Sequence, residues 1–139
     1  MSERPELISD RLAVVLAAIF AAASMVWLWF TPVADRRVAE GITLAIIASI
    51  YIGFALAERH AGNLLIEVAF AVAIVVVVFI DLAHSPYWLA AGLAAHGVWD
   101  LLHHHSRPVI GTREVPRWYP PACLVYDFPL AIFVTFLPA

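Results

Sequence analysis

Residues 64–83 read LLIEVAFAVAIVVVVFIDLA. In water, the run Val75, Val76, Val77 and Val78 favours a strand, because β-branched side chains fit a pleated surface. The stretch is also the length of helix that crosses a hydrocarbon core about 30 Å thick at about 1.5 Å per residue. Lipid decides between the two. An open strand leaves its N–H and C=O groups unpaired in hydrocarbon, whereas a helix satisfies them internally. The segment Leu64–Ala83 is therefore predicted to be a transmembrane helix, preceded by Asn63.

The rest of the chain follows the same pattern. Leu12–Phe30 is apolar up to Thr31-Pro32, and Ile42–Ala57 begins after Gly41 and ends at Glu58-Arg59-His60. Pro86 opens a fourth segment from Tyr87 to His103 or His104, and a fifth runs from Pro121 to Leu137. Asp127 and Pro129 interrupt the fifth, so a kinked or re-entrant helix is expected there. The expected fold is all-α: a polytopic bundle of about five transmembrane helices forming one domain, Met1–Ala139.

Composition agrees with that reading. The 139 residues are 63% hydrophobic and 14% charged, against about 25% charged in soluble domains. Cys123 is the single cysteine, which excludes an intrachain disulfide. All eight basic residues are arginine, so a lysine Schiff base is excluded. No basic stripe is present to neutralise phosphates, and no nucleic-acid partner is expected.

Glu3, Glu6 and Asp10 accompany Arg4 and Arg11 before the first apolar segment. That head differs from the positive head of a cleavable signal, and the segment reads as a retained helix. Arginines place the N-terminus, the turn at 58–63 and the loop at 104–120 on the cytoplasmic side, because Arg36 and Arg37 are the only two in the opposite connections. The expected location is the cell (inner) membrane, with the C-terminus outside.

Charged residues within spans are costly to insert and normally face the protein interior. The densest polar stretch is HGVWDLLHHH, His96–His105. On a helix, His96, Asp100, His103 and His104 fall within an arc of about 100°. The ends of segments two, three and five on that side carry Glu58 and His60, Glu67, and Cys123, Tyr126 and Asp127. His96, Asp100, His103, His104 and Asp127 are the candidate metal ligands, because imidazole and carboxylate suit zinc or iron. Asp100, Glu67 and Asp127 are the candidate catalytic carboxylates. Asp81 and His84 read as a cap and interfacial anchor. Arg107, Arg113 and Arg117 are candidates for contacting an anionic headgroup.

These features predict a metal-dependent membrane enzyme, a hydrolase or oxygenase, acting on a lipid or other apolar substrate near the cytoplasmic face. His103-His104 is similar to half of a histidine box in membrane fatty-acid hydroxylases and desaturases. The histidines with Asp100 resemble the zinc site of alkaline-ceramidase-type hydrolases. Each resemblance covers a few residues: the first family uses about eight ligand histidines, and the second has seven helices and a site serine. The alternatives are a haem- or ion-binding protein, for which a bis-histidine haem requires a homo-oligomer, and an accessory or assembly subunit. Membrane lipid is the expected partner.

Overall fold

The Ser9 side chain accepts from the Leu12 N–H at 3.3 Å and opens the first helix, α1, Asp10–Phe30. The computed structural model describes residues 9–59, 61–85, 87–104, 110 and 114–137. His60, Pro86, His105, Arg107 and Arg113, and the tail bearing Arg4, lie outside them. α1 ends at Thr31, whose hydroxyl donates back to the Trp27 carbonyl at 2.8 Å. The helices that follow are α2 (Val33–Glu58), α3 (Ala61–Ala83), α4 (Tyr87–His103) and α5 (Tyr119–Phe136). No strand occurs among the described residues, so the valine run of α3 is helical as lipid requires.

α2 begins nine residues before the apolar pattern does. Arg36, Arg37 and Glu40 are therefore helical, and the first connection shrinks to Thr31 and Pro32. The reason is tertiary: Arg37 Nε donates to Asp81 Oδ2 of α3 at 3.0 Å, and Glu40 is buried. Gly41 marks a close contact rather than a boundary, since a Cβ there would lie 2.7 Å from Val78 Cγ1. At the far end of α2, Arg59 takes the left-handed conformation (φ 59°) that turns the chain into α3. Asn63 Nδ2 donates to Glu58 Oε2 across that turn at 2.9 Å.

α4 occupies the middle of the bundle. It packs against α5, α3 and α2, while α1 lies outside against α5, and α2 pairs with α3. Small residues permit this: a Cβ on Gly92 would meet Leu44 Cδ2 at 2.8 Å, and one on Gly97 would meet the Phe128 ring at 3.0 Å. Such close approach is how helices gain packing contacts where lipid supplies no hydrophobic drive between them. α2 and α3 are antiparallel, with Arg37 beside Asp81 and Glu58 beside Asn63. α1 and α5 are parallel, with Phe20 stacked on Tyr126 at 5.3 Å and Trp29 beside Phe133 at 6.5 Å.

α1, α2, α3 and α5 are each long and apolar enough to cross a membrane. α5 is one continuous helix through Pro129, long and apolar enough to cross a membrane. α4, at 17 residues, is the shortest, and it buries His96, Asp100 and His103 beside Leu89, Ala90, Gly92, Leu93 and Gly97. The outer surface is apolar, with Ile19, Phe20, Leu65, Phe79, Ile132 and Phe136 exposed. Lipid-facing helices require such a surface, whereas in water it would drive association.

Candidate functional site

Two turns of α4 place His96, Asp100 and His103 on one inward face, and all three are buried. α5 brings Asp127 against them, α2 brings Tyr51 and α3 brings Glu67, each shielded from solvent. These residues form two groups with different hydrogen-bond status.

In the first group, His96 Nδ1 lies 2.7 Å from Asp127 Oδ2 and 3.2 Å from Asp100 Oδ2. Nδ1 carries at most one hydrogen. Asp127 receives it, and Asp100 Oδ2 is left without a hydrogen-bond partner, as are His96 Nε2 and Asp127 Oδ1. Asp100 Oδ1 accepts from the Tyr51 hydroxyl at 2.7 Å. With both carboxylates ionised the group would carry a net charge of −1 or −2, depending on whether the ring is protonated. Buried charge without a counter-charge is strongly unfavourable. One ligand atom from each of His96, Asp100 and Asp127 lies within 4.8 Å of the others, so the group could hold a metal ion.

The second group is closed. His103 Nε2 lies 2.8 Å from Glu67 Oε1, and Trp99 Nε1 donates to Glu67 Oε2 at 3.0 Å. His103 Nδ1 faces the Trp99 carbonyl at 2.9 Å, and a carbonyl only accepts, so Nδ1 carries a hydrogen. Nε2 then shares one proton with Glu67, and the pair is neutral whichever atom holds it. Phe70 stacks on Trp99 at 3.9 Å, and the Tyr51 ring lies 4.4 Å from that of His103. Aromatic walls thus separate this pair from lipid.

The sequence-derived candidates divide accordingly. His96, Asp100 and Asp127 come together, while His103 and Glu67 bind each other with both His103 nitrogens engaged. His104 follows the last residue of α4, is half-buried, and is outside the group of three. Cys123 is half-buried. The headgroup contacts suggested for Arg107 and Arg113 lie outside the described residues. Asp81 does cap: its Oδ1 accepts from the Leu89 N–H at 2.7 Å in the first turn of α4. It also pairs with Arg37, a role that spacing did not reveal.

His96 is the tenth and Asp100 the fourteenth of 17 residues in α4, and Asp127 is the ninth of 18 in α5. Helix α5 starts at Tyr119 instead of Pro121, with Pro120 and Pro121 in its first turn. Proline suits that position, where the missing N–H would have no helical partner. Charge and spacing do not single out Tyr51. Its signal is a phenol in the middle of the apolar run of α2, where a buried hydroxyl requires a partner.

Neither a curated protein nor a solved structure matches the chain. A family model does match, over residues 12–139, and the chain belongs to that family, DUF6010, a family of unknown function.

Proposed function

We propose that the chain is a metal-dependent membrane enzyme in which His96, Asp100 and Asp127 hold one zinc or iron ion, and that its substrate is a lipid or another apolar molecule. The reading rests on the three buried polar atoms without partners, one from each residue of the group. A divalent ion beside a neutral imidazole balances the two carboxylates. Ligands about 2.0 Å from a tetrahedral ion are about 3.3 Å apart. The Nδ1-to-Asp100 Oδ2 separation of 3.2 Å is of that size, and the 2.7 Å hydrogen bond from Nδ1 to Asp127 would give way to the ion, with Nδ1 deprotonated as a ligand.

Three protein ligands leave a coordination position open, the pattern of catalytic rather than structural zinc. Bound there, zinc supplies activated water for hydrolysis and iron supplies dioxygen chemistry. Tyr51 holds Asp100 Oδ1, so that Oδ2 is the oxygen left for the ion. Asp127 Oδ1 is the acceptor available to a proton released at the site. Glu67, engaged by His103 and Trp99, supports the face of α4 that carries these groups. The surrounding apolar helices suit a substrate that arrives from the bilayer.

Elemental analysis of the detergent-purified chain tests the centre. About one zinc or iron per chain is expected, falling to background in His96→Ala and Asp127→Asn. A wild-type chain without metal, or unchanged content in both variants, overturns the reading. The catalytic part is tested by incubating the metal-loaded and metal-stripped chain with membrane lipid extract. Cleaved or oxygenated lipid should form in the loaded sample alone.

A further inference from the structure

Helices α4 and α5 leave a groove of about 400 Å³ on the seam that also joins His96 to Asp127. Ala90, Ala91 and Ala94 of α4 and Ala131 of α5 line it, and none of the described residues around it is charged. The Thr135 hydroxyl donates to the Ala131 carbonyl at 2.8 Å, which leaves the lining apolar. Tyr87 is the first residue of α4 and Thr135 the next-to-last of α5, so one end of the groove opens at an end of the bundle. Phe128 stands at the other end. Its ring lies over Gly97, where a Cβ would meet it at 3.0 Å. Gly97 follows His96 in the chain and Phe128 follows Asp127, so the groove stops one residue short of two of the proposed metal ligands.

We propose that this groove binds one acyl chain of a membrane lipid, with Phe128 setting how far the chain reaches toward the centre. An uncharged lining matches an uncharged chain, and the groove runs from the end of a membrane-crossing helix inward, as a lipid tail does below its headgroup. Seven helical rises separate Tyr87 from Ala94, about 10 Å, so the volume corresponds to a cross-section of roughly 40 Å². That is about half the section of a helix 10 Å across, and it admits a chain rather than a helix. Lipid supplies no hydrophobic drive for such binding. The gain is in packing, because an unfilled concavity forfeits the dispersion contacts of its lining and one ordered chain restores them. That the bound lipid is the substrate rests on the metal-centre reading given above, whereas its occupancy of the groove does not.

The test is photolabelling of the detergent-purified full-length chain in mixed micelles. The probe is a phosphatidylcholine with a diazirine at the end of one acyl chain, and the labelled peptides are mapped by mass spectrometry. Labelling should saturate, fall on residues 87–94 and 128–135, and be competed by unlabelled phosphatidylcholine of the same chain length. Ala91→Phe, at an exposed position of the lining, should abolish the saturable labelling. Val72→Phe, on the exposed face of α3, should leave it unchanged. Phe128→Ala should shift the preferred acyl chain to a longer one. Metal-stripped chain should label to the same extent as loaded chain, so absent labelling refutes the groove and absent metal refutes the centre.

Labelling that rises without saturation, or that spreads evenly over lipid-facing residues such as Leu65 and Phe79, reports bulk lipid and overturns the proposal. Saturable labelling that survives Ala91→Phe does the same. A chain that does not label, and that changes from dimer to monomer in Ala91→Phe, assigns the groove to a second copy and also overturns it. An unchanged chain-length preference in Phe128→Ala removes Phe128 as the stop.

Discussion

The Tyr51 hydroxyl donates to Asp100 Oδ1 across 2.7 Å, and the same ring lies against His103 at 4.4 Å. One residue of α2 therefore touches both polar groups carried by α4. Its hydroxyl occupies one oxygen of Asp100 and leaves the other, Oδ2, facing His96.

Tyr51→Phe keeps the ring and removes the hydroxyl alone. Partners that orient a metal ligand typically contribute 10–100-fold in affinity, and a loss of about that size is expected here. Titration with cobalt(II), read by its visible absorption, measures both affinity and ligand geometry. A spectrum and affinity equal to those of the wild type would remove Tyr51 from the site.

Breaking the closed pair should affect stability more than metal content. His103→Leu leaves Glu67 buried with the Trp99 indole as its remaining partner. Loss of one member of a buried pair costs about 3–5 kcal/mol, whereas replacing both members by apolar residues is often close to neutral. The double variant Glu67→Leu/His103→Leu is thus expected to be more stable than His103→Leu. Unfolding in mixed micelles measures the difference, and the metal stoichiometry should be the same in both variants.

Gly97 lets the Phe128 ring approach α4, and a side chain at that position would collide with it. Gly97→Val should cost about 1–3 kcal/mol through overpacking. Phe128→Ala in the same chain should recover part of that loss. A double-mutant cycle with no coupling between the two positions would contradict the packing described for α4 and α5.

Asp81 serves two partners, and two substitutions separate them. Asp81→Asn keeps an oxygen for the Leu89 N–H and weakens the contact with Arg37. A cost of about 1–3 kcal/mol is expected, as for other charged hydrogen bonds. Asp81→Ala removes the cap of α4 as well and should cost about 1 kcal/mol more. Equal unfolding midpoints for the two variants would show that the cap contributes nothing.

Hydropathy carried most of the fold, because a membrane leaves few backbone solutions: five apolar runs become five helices, and a valine-rich run becomes one of them. Periodicity on α4 also brought His96, Asp100 and His103 to one face, since their spacing within a single helix is a matter of geometry alone. It could not say that α2 starts at Val33, because the charged turn bearing Arg36, Arg37 and Glu40 is tied to α3 through the contact of Arg37 with Asp81. Nor could spacing separate His103 from His96. That division arises because Glu67 of α3 reaches one imidazole and Asp127 of α5 reaches the other. Which carboxylate meets which histidine depends on helix rotation and depth, set by small-residue contacts such as Gly92 with Leu44 and Gly97 with Phe128. Those contacts join residues far apart in the chain, and no local pattern encodes them.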